Sequence, residues 1–92
     1  MTTEQMAAAQ EMIVQFEGIY FTGCFSEGTI KSDLNYRPEK RQFYIKDFDD
    51  TEETINLILS LLQKAYPNHA LIPRFERCKN QIVKLRNLVR NF

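Results

Sequence analysis

Residues 71–92 read LIPRFERCKNQIVKLRNLVRNF, and the reading of that stretch decides the fold. Leu71, Phe75, Cys78, Ile82, Leu85, Val89 and Phe92 step by four, three, four, three, four and three, an unbroken apolar seam at heptad spacing. A helix carrying such a seam needs apolar company, so the rest of the chain must supply it. Pro73 suits the first turn, where its missing amide hydrogen costs nothing, and Leu71 is expected just outside the helix. Leu88 widens the seam on one side. Val83 points away from it, and Asn80 and Asn87 sit at its back.

Working back from there, Pro67-Asn68-His69-Ala70 is a short connection, which makes the preceding helix an antiparallel neighbour. That second helix is expected from Thr51 to about Tyr66. Asp50 and Glu53 have capping-box spacing, and Asp49, Glu52 and Glu53 place negative charge at the positive end of the helix dipole. Its apolar residues, among them Ile55, Leu57, Ile58, Leu59, Leu61 and Leu62, cover more than half of the circumference. Such a helix is buried on more than one side, at the centre of the fold or in a subunit interface.

A first helix is expected from about Thr3 to about Thr22. Thr2 and Gln5 form a capping-box pair, and Met6, Ala9, Ile13, Phe16 and Tyr20 share one seam, with Glu4 and Glu11 opposite. Gly18 weakens it and Gly23 is a natural stop. Residues 23–50 are richer in turn formers. Thr29–Ser32 and Gln42–Phe48 could be strands, or the segment could be an irregular cover whose Tyr36, Phe43, Tyr44 and Phe48 close the open side. The fold expected is all-α: a single domain over residues 1–92, a small antiparallel three-helix bundle with an irregular or hairpin-like cover. The alternative is α+β, with strands near Ile19–Phe25 and Gln42–Lys46.

Composition narrows the chemistry. Twelve basic and twelve acidic side chains cancel, so no general attraction to nucleic acid or anionic membrane arises. Cys24 and Cys78 make no disulfide framework and are expected to be reduced, apolar-lined thiols. The opening Met-Thr-Thr-Glu-Gln has no basic n-region and no apolar run spans a bilayer, so a cytoplasmic protein away from membranes is expected. The cluster Asp47, Asp49, Asp50, Glu52, Glu53 lacks the glycine and the terminal glutamate of a calcium loop, and helix capping accounts for it. His69, the one histidine, lies in a turn with no nucleophile beside it in sequence. No nucleophile elbow, phosphate-binding glycine loop or zinc spacing occurs. Neither an enzyme, a metal nor a cofactor is expected.

From Leu71 to Phe92 six cations face one acid, Glu76. Arg77 and Lys84 flank the seam on one side, and Lys79 and Arg86 on the other. Charges ringing a seam suit a packed helix whose flanks meet acidic neighbours. Leu57 and Val83 are apolar residues that point away from their own seams, and exposed apolar surface on a small domain marks an interface. The expected function is therefore a non-catalytic protein–protein interaction module, an adaptor, regulator or inhibitor, self-associating as a homodimer. Its candidate partner-binding residues are Leu57, Leu61, Val83, Arg77, Lys84 and Arg86. The alternative is a nucleic-acid-binding regulator using the basic last helix.

Overall fold

The seam at the end of the chain is a helix that buries almost every residue assigned to it. In the computed structural model, which describes residues 1–22 and 25–92, α4 spans Leu71–Arg90. Leu71, Phe75, Cys78, Ile82, Leu85 and Val89 are all buried. Leu71 lies inside the first turn and not before it, while Phe92 falls past the helix end and is half exposed. Gly23 and Cys24 lie outside the described residues, so the helix stop and the second thiol assigned to them are not placed.

Among the described residues four α-helices are present where three are expected from the sequence: α1 at Thr3–Glu17, α2 at Glu27–Tyr36, α3 at Arg41–Ala65, and α4. The capping box closes the start of α1, with the Gln5 amide donating to Thr2 Oγ1 at 3.1 Å and the Thr2 amide to Gln5 Oε1 at 2.9 Å. Gly18 does not break the chain's winding. It opens a π-helical turn over Gly18–Thr22. That turn carries Tyr20 inward, where its hydroxyl donates to Thr51 Oγ1 at 3.2 Å.

Residues 25–50 correct the sequence reading most. No strand occurs among the described residues, so neither Thr29–Ser32 nor Gln42–Phe48 is extended. The first forms part of α2, whose Ile30 and Leu34 are one turn apart and buried. A 3₁₀ turn at Pro38–Lys40 leads into α3, which then runs unbroken past Thr51. Asp50 and Glu53 are thus mid-helix residues and cap nothing. Phe48 is fully buried, with ring centres of Tyr20, Phe25 and Tyr44 within 5.7–6.2 Å of their neighbours in one aromatic cluster. Tyr36 and Phe43 close no open side, being 86% and 66% exposed.

The long α3 and α4 form an antiparallel hairpin. Its far end is tied by the Arg41 guanidinium donating to the Arg90 carbonyl, and its middle by Arg86. α1 and α2 lie one after the other along this hairpin. Glu17 and Tyr20 meet α4 at Arg74 and Gln81, and Phe25 and Asp33 meet the start of α3 at Tyr44. End-to-end placement makes a rod of 44 × 19 × 19 Å. Its radius of gyration, 14.3 Å, exceeds the roughly 12 Å of a rounder chain of this length. No helix among the described residues is long and apolar enough to cross a membrane.

Candidate functional site

Because the chain folds around the α3–α4 seam, the seam's flanks are where side chains remain free or become tied. Arg86 is tied. Its Nη1 donates to Asp49 Oδ1 at 2.8 Å and to Glu52 Oε1 at 3.0 Å, and its Nη2 to Glu52 Oε2 at 3.3 Å. Only 13% of its side chain is exposed, and its Nε is buried with no acceptor among the described residues. Two members of the acidic cluster, Asp49 and Glu52, therefore serve as the counter-charge of Arg86 on α4 and not as a cap. Arg74 is tied in the same way to Glu17, with Nε to Oε2 at 3.0 Å, and this contact holds the Glu17 carboxyl below the usual range. Arg77 lies with its guanidinium 4.3 Å from the Phe21 ring centre, a cation–π contact that leaves its outer side in solvent.

The six candidate partner-binding residues consequently do not form one surface. Arg86 is internal and Val83 is half-buried. Lys84 is exposed and makes no ion pair among the described residues. It precedes Arg86 by two positions, about 200° round the helix, so it faces away from α3. Leu57 and Leu61 are 63% and 39% exposed on the side of α3 opposite its buried residues.

On that outer side of α3 a second periodic line emerges. Phe43, Asp47, Asp50, Thr54, Leu57, Leu61 and Lys64 step by four, three, four, three, four and three, so they share one stripe. All are exposed except the half-buried Thr54. Thr54 Oγ1 donates to the Asp50 carbonyl at 3.1 Å, and Lys46 pairs with Asp50 at 3.0 Å. A shallow depression beside Leu57 is lined by Asp50, Glu53, Thr54 and Asn56. The stripe is acidic toward the helix start, apolar at Leu57 and Leu61, and basic at Lys64. A helix starting at Thr51 cuts this line short, leaving Phe43, Asp47 and Asp50 off the face that Leu57 and Leu61 share, although α3 begins at Arg41.

Other polar groups have structural partners. The Tyr44 hydroxyl donates to Asp33 Oδ2 and Arg37 Nε donates to Asp33 Oδ1 at 2.7 Å, joining α2 to α3. These two donors hold the Asp33 carboxyl below its ordinary range. Burial, reinforced by the Asp33 contact, pushes the Tyr44 phenol up to about 12. His69 Nδ1 accepts the Leu71 amide at 3.0 Å and so satisfies a free donor at the start of α4. Burial pushes the Cys78 thiol up to about 11, which keeps it protonated and unreactive near neutral pH. Among the described residues no group of three His, Cys, Asp or Glu side chains is placed to hold a metal ion. Comparison of the chain with protein-family models, with curated proteins and with solved structures returned no match.

Proposed function

We propose that the chain is a non-catalytic interaction module that docks another protein surface against the outer face of α3. One observation carries this reading: Leu57 and Leu61, one turn apart, stand exposed on a helix whose opposite face is fully occupied by the core. Paired leucines at this spacing are anchors for a helix or groove, and the ring of Asp50, Glu53, Thr54 and Lys64 gives them a polar rim. An adaptor, regulator or inhibitor needs nothing further of its own chemistry. The test is a paired capture experiment with the wild-type chain and a Leu57→Lys, Leu61→Gln variant of unchanged helix content. The variant should lose the species the wild type retains, and identical retained sets overturn the reading.

A second reading, a nucleic-acid contact through α4, draws on a different line of residues. Arg77, Asn80, Lys84, Asn87 and Asn91 step by three and four and are all exposed. Only two of them are cations, since Arg74 and Arg86 are spent on internal carboxylates. Two phosphate contacts give a log affinity against log salt slope of about −2 on duplex DNA. A titration at two salt concentrations separates the readings, and binding unchanged by Arg77→Ala with Lys84→Ala removes α4 as the contact.

A further inference from the structure

The outer stripe of α3 is complementary to itself when turned end over end. We infer that its occupant is a second copy of this chain, with the two α3 helices antiparallel about a twofold axis at Leu59. The inference rests on the α3 face being an interaction surface and names what covers it. With the axis at that level, each position pairs with the one equally far on the other side. Leu57 then meets Leu61 of the second copy, and Leu61 meets its Leu57, so the apolar anchors coincide. Thr54 falls opposite Lys64, and Glu53, on the flank of Thr54, comes within reach of the same ammonium. Every stripe residue in the overlap thus faces another stripe residue, which holds only because the line keeps heptad spacing on both sides of the axis.

Charge sets the direction. The start of the stripe is acidic, with Asp47, Asp50 and Glu53, and its end is basic, with Lys64 exposed and outside any ion pair among the described residues. A parallel pair would set Glu53 against Glu53 and Lys64 against Lys64. The antiparallel pair sets unlike charges together twice, and like charges across a contact are the unfavourable choice. The exposed apolar area in the stripe is small, so the dimer is reversible, at the low end of interface size.

Light scattering or sedimentation of the full chain over a concentration series at low salt tests this. The wild type should move from monomer to dimer, and Leu57→Lys should remain monomeric. Glu53→Lys alone and Lys64→Glu alone should each weaken dimerisation by about three- to tenfold, as expected for two exposed pairs turned from attraction to repulsion. The two reversals in one chain should restore it, and so should mixing the two single variants. If Leu57→Lys abolishes the dimer but the reversals do not rescue one another, the antiparallel register is overturned while the α3 face stands. A dimer that survives Leu57→Lys overturns both. A wild type that stays monomeric throughout overturns the second copy as occupant and leaves the face to the capture experiment.

Discussion

Glu52 on α3 meets the guanidinium of Arg86 on α4 through both carboxylate oxygens, at 3.0 and 3.3 Å. The contact crosses the middle of the hairpin with little solvent on either side, Arg86 being 13% and Glu52 21% exposed. Removing one partner leaves the other charge poorly hydrated, and that cost exceeds the worth of the intact pair. Glu52→Ala should destabilise the fold by about 1–3 kcal/mol in urea unfolding. Asp49, 49% exposed, should cost under about 1 kcal/mol when replaced by alanine. Equal losses from both substitutions would sink this ranking.

Phe48 and Leu57 make the complementary pair of tests along one helix. Phe48 has no exposed surface and closes the aromatic cluster, so Phe48→Ala should cost about 3–5 kcal/mol. Leu57 is 63% exposed, and Leu57→Ala should leave monomer stability within about 0.5 kcal/mol. A large loss at Leu57 in dilute solution would mean that its own chain covers it.

Tyr44 predicts behaviour at both ends of the pH scale. Its folded-state phenol releases a proton only near 12, against about 10 in an unfolded chain. The unfolded state therefore gives up this proton first. The stabilisation is complete below about pH 10 and fades as pH rises toward 12. Tyr20, also raised by burial, acts in the same direction. Tyr44→Phe should flatten the fall in urea midpoint over that window. On the acid side the same change removes the chief group holding Asp33 down, so the Asp33 carboxyl should titrate higher by carbon-detected NMR. An unmoved Asp33 would show that Arg37 alone holds it.

Gly28 sits in the first turns of α2, and a Cβ added there meets nothing within 4 Å. Gly28→Ala should raise thermal stability by about 0.5–1 kcal/mol, through helix propensity and a less mobile unfolded chain. A loss would mean that α2 needs glycine for a reason its packing does not reveal.

The sequence was most legible where one physical pressure acted alone. On α4 burial alone spaces Phe75, Cys78, Ile82, Leu85 and Val89, and the period shows it. On α3 two patterns overlay each other. Phe43 lies on the outer stripe and Tyr44 on the inner seam, so adjacent aromatics point to opposite sides and imitate a strand. Asp50 and Glu53 imitate a capping box, although Tyr44, Phe48, Ile55 and Leu62 already run as a single helical line through them. α2 hides for another reason: only Ile30 and Leu34 are buried, among Gly28, Ser32 and Asn35, which read as turn formers. The candidate site divides likewise. Leu57 could be found because it stands opposite its own seam. The tying of Arg86 could not, because Asp49 and Glu52 read as the charged start of a helix at Thr51, whereas α3 begins ten residues earlier.

The placement of α1 and α2 in single file has a hydrodynamic consequence. A body more than twice as long as it is wide drags more water than a sphere of equal mass, so the lone 10.9 kDa chain should leave a sizing column early, at the volume of a heavier globule. Retention volume will therefore report its length, and scattering intensity its mass. Rotational diffusion should likewise be anisotropic, with amide vectors along α3 and α4 reorienting more slowly, and so losing transverse magnetisation faster, than those pointing across the rod.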